Sequence, residues 1–233
     1  GIGLAIARAL TDAGHEVTIA GRTAASLEAA VAAGTAKAWQ VVDVADASPL
    51  AATIDAAGPF DILINNAGAA ESAPLARTDT ELLRRMMAVN VESALTATRA
   101  VLPGMVERGF GRIVNLASIA AVKGYAYVAA YCAAKHALLG LTRAAAAELV
   151  RSGVTVNALC PGYTDTDLVA ESARRIAART GRCADEAVAA MVAENPIGRL
   201  IRPDEVAAAA LWLCSDAAAA VTGQAIVIAG GDV

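Results

Sequence analysis

The stretch YCAAKHALLGL sets Tyr131 and Lys135 four residues apart. On a helix that spacing puts both side chains on one face, one turn apart. A phenol has an unperturbed pKa near 10, so it handles protons near neutrality only with help; a neighbouring ammonium favours the phenolate and lowers that pKa. The chain has 4 tyrosines and places lysine only at 37, 123 and 135, so an accidental pair at this helical offset is expected in roughly one such chain in twenty. Tyr125 and Tyr127 have Ala129 and Tyr131 at the same offset and do not compete. Upstream, GRIVNLASIAA reads as a buried strand ending at Ser118. Strand C-terminal ends are where open α/β sheets hold their ligands, and a serine there can hydrogen-bond a carbonyl oxygen. Taken alone, Ser118 reads first as a strand-end hydroxyl satisfied by its own turn. Thirteen residues before Tyr131, in one strand–loop–helix unit, it becomes a candidate for the same site. His15 and His136 have no partner pattern for metal or nucleophile chemistry, and no metal is expected.

The elements that must position these residues follow from the apolar pattern. Strands are expected at HEVTIA, KAWQVVD, FDILIN, GRIVNLA, GVTVNALC and QAIVIAG, with helices starting near Thr23, Ala47, Thr78, Val128 and Pro203. This alternation predicts βαβ units winding a parallel sheet, and the continuous apolar strands suit a sheet covered on both faces. The expected fold class is α/β, a single-domain Rossmann-type doubly wound parallel sheet. A chain of 233 residues, 57% hydrophobic but only 3% aromatic, must build its core from Ala, Val, Leu and Ile; no apolar run approaches the ~20 residues of a membrane span. A net charge of -4 and a pI near 5.2 argue against a nucleic-acid surface. Cys132, Cys160, Cys183 and Cys214 lie far apart without a CxxC pair, so a reducing, cytoplasmic setting is the expectation.

The chain opens GIGLAIARAL, with Gly1, Ile2 and Gly3 arranged like the end of a phosphate-binding turn already inside a helix. Such a turn needs a strand before it to aim it at a pyrophosphate. The expectation is a sequence lacking, upstream of residue 1, about one strand of five or six residues and the start of the turn.

With these motifs in order, the chain resembles the classical short-chain dehydrogenases/reductases over essentially all of its length, and in particular their 3-oxoacyl-thioester reductases. GIG corresponds to the end of the family's TGxxxGIG turn, NNAG at Asn65 to Gly68 to its sheet-stabilising and cofactor-contacting motif, and NV at Asn90 to its helix asparagine. Ser118 with YxxxK at Tyr131 and Lys135 completes the catalytic set, and PG at Pro161 and Gly162, with Thr164 and Thr166 beyond, matches the nicotinamide-side loop. The resemblance implies hydride transfer between a nicotinamide and a carbonyl carbon, with Tyr131 handling the proton, Ser118 holding the oxygen, Lys135 lowering the Tyr131 pKa and holding the ribose, and Asn90 positioning a water. On residue type alone, Asn90 is a mid-helix amide capping a kink. Gly1, Ile2, Gly3, Asn66, Ala67, Gly68, Asp43 and Val44 become cofactor contacts; as a lone acid after a strand, Asp43 could equally cap the helix near Ala47.

In VTIAGRTAAS, Gly21 stands where an acid would accept the ribose hydroxyls of NAD, and Arg22 follows, suited to the 2′-phosphate of NADP. NADP(H) is the preferred cofactor, with NAD(H) left open and a solvated loop arginine the plain alternative. Residues from about 166 to 202 correspond to the family's variable substrate lid, and the NPIGR ending resembles 3-oxoacyl-thioester and aromatic polyketide ketoreductases. Arg174, Arg175, Arg179 and Arg182 could meet the phosphates of coenzyme A or an acidic carrier protein, or simply form a solvated face. The first expectation is an NADPH-dependent reductase of a 3-oxoacyl thioester or similar β-keto compound. The alternatives are an NAD(P)-linked dehydrogenase of a secondary alcohol, such as a 3-hydroxy acid or its CoA ester, and a non-catalytic cofactor-binding regulatory protein. The family resemblance also implies a homotetramer.

Overall fold

A computed structural model describes residues 1–181 and 183–232, with side chains except those of residues 176 and 178–180. The elements run α1 (Ile2–Asp12), β1 (Thr18–Gly21), α2 (Ala24–Ala32), β2 (Ala38–Val41), α3 (Ala47–Ala57), β3 (Ile62–Asn65), α4 (Thr80–Met87), α5 (Ser93–Arg108), β4 (Gly111–Leu116), α6 (Ala129–Glu148), β5 (Val154–Pro161), α7 (Asp167–Thr180), α8 (Ala184–Glu194), α9 (Pro203–Cys214) and β6 (Ala225–Ile228). All strand pairings are parallel, as expected, but hydrogen bonding divides them into β1–β2 and β3–β4–β5–β6. No described strand pairs with both β1 and β3, so the expected single sheet is divided in two.

The alternation of side chains along β4 and β5 sorts the helices onto two faces. Val114, Leu116 and Leu159 point to one face, where they pack with Ile6 and Leu10 of α1 and with Val206, Ala210 and Leu213 of α9. Ile113 and Val156 point to the other, against Val101 and Met105 of α5 and Ala146 of α6. Ala158 and Cys160 continue that face against Ala134 and Leu138 of α6. Leu213 and Leu159 are fully buried, and each such side chain contributes about 1.5–3 kcal/mol relative to exposure.

Local chemistry sets the element ends. The Asp79 carboxylate accepts from the Leu82 amide at the start of α4. Gly109, at φ 65°, turns the chain out of α5 toward β4, a left-handed conformation that disfavours a side chain. At α9, Pro203 opens the helix, and Glu205 accepts from the Arg202 amide and from both terminal nitrogens of Arg199, at 2.8 and 2.7 Å. The segment from 166 to 202 folds mainly as α7 and α8, which close on Ala173, Ala187 and Met191.

Candidate active site

Ser118 lies just beyond β4 in extended conformation, and its Oγ accepts from the Ala120 amide at 3.1 Å, opening a single 3-10 turn. The chain then runs to α6, whose first turns carry Tyr131 and Lys135. Tyr131 packs against the cluster of Ala130, Ala134 and Cys160, and the Ser118 hydroxyl is near enough to favour its phenolate. Lys135 is 4% exposed, donates to the Leu116 carbonyl at 2.7 Å and sits 5.7 Å from the Tyr131 ring centre. The spacing therefore brings together the three residues expected from sequence.

The expected lowering of the Tyr131 pKa is corrected by the structure. Burial pushes the phenol up to about 12, and the nearby Ser118 hydroxyl only partly offsets it. The Lys135 ammonium faces the Leu116 carbonyl, and burial pushes it down to about 8. With these shifts the phenol keeps its proton at neutral pH beside a lysine that keeps its charge.

Asn90 reaches this group through a break in helical regularity. Residues Ala88–Glu92 form a π-turn between α4 and α5, a device frequent at functional positions. Asn90 Nδ2 donates to the carbonyls of Met86 and Ala69, at 2.9 and 3.0 Å. It thus ties the irregular turn, as its residue type suggested, and also reaches the NNAG strand end. Its Oδ1 is buried without a hydrogen-bond partner. A Cβ on Gly68 would lie 2.9 Å from that oxygen and 3.5 Å from Lys135 Nζ, so only glycine lets this backbone pass the pair.

The remaining predicted residues line the same end of the sheet. The N-terminus of α1 has Gly1 as its cap, with no side chain closing it and no acid in the first turn. A Cβ on Gly3 would stand 2.4 Å from Asn66 Nδ2, and one on Gly1 would stand 3.9 Å from Thr166 Cγ2; the NNAG segment and the loop after β5 therefore converge on this helix end. Ile2 is half-buried in the α1–α9 core, while Asn66, Ala67 and Gly68 are exposed. Pro161 ends β5, the Gly162 amide donates to Ile228, and the Thr164 and Thr166 hydroxyls donate to the carbonyls of Gly162 and Thr164. Arg22 is exposed directly after β1. Asp43 accepts from the Ala45 amide at 3.0 Å rather than capping α3, whose cap residue is Asp46, and Val44 packs beside Val42 and Leu50.

Beyond Asn65, whose motif the resemblance marked as sheet-stabilising, sequence reading missed the buried supports. Asn65 donates to Asn115, Asn115 to Thr142, and Thr142 to the Leu138 carbonyl, which braces β3, β4 and α6 beneath the site. Asn195 Nδ2 holds the carbonyls of Tyr163 and Arg199, at 2.9 Å each. The Asn-Pro pair in NPIGR was the available signal for that brace. Of the lid arginines, Arg174 is exposed and Arg175 lies 3.7 Å from Glu171; Arg182 and the side chain of Arg179 lie outside the described residues. Among the described residues, no group of three or more His, Cys, Asp or Glu side chains could hold a metal, and no helix is long and apolar enough to cross a membrane.

A family profile described as enoyl-(acyl carrier protein) reductase matches residues 1–232. The chain belongs to the short-chain dehydrogenases/reductases. It is 36% identical to a variant of the actinorhodin polyketide ketoreductase whose crystal structure holds NADPH, with a TM-score of 0.93 over 100% of this chain and 93% of that one. It is 39% identical to a Streptomyces virginiae protein whose name provisionally assigns it ketoacyl reduction in monensin polyketide synthesis, covering 99% of this chain and 92% of the relative. A Xanthobacter autotrophicus protein named inactive 2-(S)-hydroxypropyl-CoM dehydrogenase 2 is 42% identical over 97% of this chain and 98% of its own.

As a short-chain dehydrogenase/reductase, the protein is an oxidoreductase with a Rossmann-type fold. Its residues fit a nicotinamide dinucleotide. The uncapped α1 N-terminus suits a pyrophosphate, Gly3 and Gly68 keep two backbone approaches clear, and the unpartnered Asn90 Oδ1 lies beside Lys135 where a polar group can be received.

Proposed function

We propose that the protein reduces a carbonyl with NADPH, and that its substrate is a 3-oxoacyl thioester, on coenzyme A or a carrier protein, or a similar β-keto compound. The observation that carries the reading is the assembly of Tyr131 with the nearby Ser118 hydroxyl and the buried Lys135. A phenol that keeps its proton beside an ammonium can donate that proton to a carbonyl oxygen.

Bound NADPH supplies the hydride that the carbonyl carbon receives. The α1 N-terminus, Asn66 to Gly68, Asp43, Val44, Pro161, Gly162, Thr164 and Thr166 would hold the cofactor, with Arg22 at the 2′-phosphate and Lys135 at the ribose. Ser118 donates to the carbonyl oxygen and stabilises charge growing there. Tyr131 gives that oxygen its proton, and Lys135 stabilises the phenolate left behind. Asn90 orders a water that returns a proton from solvent by way of Lys135.

The substrate class is supported by the NPIGR ending, by the basic α7 and by the two ketoreductase relatives. Other relatives are dehydrogenases, which supports oxidation of a secondary alcohol as the second reading. Although one relative is named inactive, the complete Ser118, Tyr131 and Lys135 set speaks for turnover and against a regulatory binder. The assembly in this reading is a cytoplasmic homotetramer, consistent with exposed Leu95 and Val106 on α5 and open to a sedimentation measurement.

The test follows nicotinamide absorbance with NADPH or NADH, against acetoacetyl-CoA or a bulky simple ketone. Rapid NADPH oxidation with the thioester alone is expected. The rate holds through neutrality and falls above about pH 8, as Lys135 loses its proton. Turnover confined to NADH, or to ketones without a CoA handle, overturns the cofactor or the substrate assignment.

A further inference from the structure

Beside the proton-transfer group stands a second polar cluster that neither the catalytic set nor the cofactor cleft uses. The Asp232 carboxylate accepts from the Lys123 ammonium and from the Tyr125 hydroxyl, across 109 and 107 residues of sequence. The pair is mostly withdrawn from water, with the Asp232 side chain 11% and the Lys123 side chain 32% exposed. Tyr125 meets the Tyr163 ring edge-on, 6.3 Å between centres. Lys123 and Tyr125 sit in the loop between Ser118 and α6, while Tyr163 follows the Pro161–Gly162 turn. Beyond the effect of burial, the charges of Glu194 and Asp232 are felt at Tyr163, and Tyr163 is felt at Tyr131, each raising the phenol's pKa.

The segment carrying Asp232 also supports the base of the lid. Gly230 and Gly231 have φ values of 62° and 98°. A Cβ on Gly230 would stand 2.4 Å from Ile197 Cγ2, and one on Gly231 would stand 3.5 Å from Pro196 Cβ. Asn195, just before this contact, holds the Tyr163 carbonyl. Three segments thus gather around residues 230–232: the loop before α6 bonds to the Asp232 carboxylate, the turn after β5 meets that loop through the Tyr125–Tyr163 rings, and Pro196 and Ile197, where the chain returns toward α9, pack on Gly231 and Gly230.

We propose that Asp232 is a positioning residue for substrate binding, clasping the Lys123–Tyr125 loop to the base of the lid so that the aromatic pair Tyr125–Tyr163 forms a fixed wall beside Tyr131. The clasp makes no contact with the reacting atoms, so its loss changes how well the carbonyl compound is held and leaves proton transfer unchanged. Hydrogen bonds to a charged, largely buried carboxylate are among the stronger ones, which is what a fixed wall requires. The inference rests on the reductase reading for its substrate, and one arm of its test does not.

Asp232→Asn keeps the shape and removes the charge. For this variant KM for acetoacetyl-CoA rises roughly tenfold, while kcat, the pH profile of kcat and the Kd for NADPH stay within about twofold, the pattern of lost ground-state and transition-state binding alike. Asp232→Glu restores most of the KM, and Tyr125→Phe reproduces a smaller part of the loss. Hydrogen exchange, read without substrate, shows faster exchange for amides in 122–128 and 195–199 of Asp232→Asn. Unchanged KM with unchanged exchange overturns the proposal, as does a fall in kcat with a shifted pH profile, which would put Asp232 in the chemistry. If wild type leaves acetoacetyl-CoA untouched, the substrate reading fails. The clasp is then judged by exchange alone: faster exchange at both segments sustains it and wild-type exchange refutes it.

Discussion

Every residue of β4 is buried and α6 holds Lys135 at 4% exposure, whereas among the described residues α7 and α8 close on Ala173, Ala187 and Met191. The β4–α6 unit is braced through Asn65, Asn115 and Thr142; α7 instead presents Arg174 to solvent and Arg175 to Glu171. A buried, fully connected polar network fixes geometry to the tolerance that proton transfer demands. A small cluster built on Ala173, Ala187 and Met191 is more easily repacked. On the proposed reading, the difference separates chemistry from specificity: the first in the braced unit, the second in elements that can vary without disturbing it.

The comparison breaks most sharply at Tyr131. Tyr131→Phe removes the proton donor while keeping the ring in its pocket, so turnover falls about 10²–10⁴-fold and the Kd for NADPH changes less than about twofold. NADPH consumption and cofactor fluorescence measure the two quantities. Retained turnover would move the proton to another group and leave the desolvation of Tyr131 and Lys135 without a catalytic purpose.

Arg22 lies outside both regions, on the strand pair β1–β2, and it tests whether cofactor choice is separable from either. Arg22→Ala should raise the Kd for NADPH about tenfold, the scale of one charge-assisted contact, and leave the Kd for NADH unchanged. Equal effects on both cofactors would return Arg22 to the role of a solvated loop residue.

What the sequence made legible tracks the same division. Strands and helices of the rigid unit were readable because their apolar pattern has the period of their geometry, and Tyr131 with Lys135 because a helix converts spacing into proximity. The direction of the Tyr131 pKa was not readable. It depends on how far the phenol is withdrawn from water and on the Lys135 ammonium facing the Leu116 carbonyl, both set by tertiary packing. The Asn90 π-turn left no periodic mark, since one unpartnered amide oxygen is visible only once Gly68 and Lys135 stand beside it. Asp232 was silent for a similar reason: its partners lie more than a hundred residues away.

The smallest expected effect falls on the lid. Arg175 is 40% exposed and its contact with Glu171 spans one helical turn, and such a pair contributes about 0.3–0.5 kcal/mol. Arg175→Glu therefore leaves thermal stability nearly unchanged, and any kinetic effect reports on substrate. If α7 faces the phosphates of a CoA thioester, KM for acetoacetyl-CoA rises about two- to threefold, more at low salt than at high because an exposed charge is screened. KM for a small ketone stays constant in the same preparation. An unchanged thioester KM at low salt would remove phosphate recognition from α7 and leave Arg175 as part of a solvated helix face. It would also confine substrate choice to the wall that Tyr125 and Tyr163 present beside the rigid unit, where the Asp232→Asn measurement reads it directly.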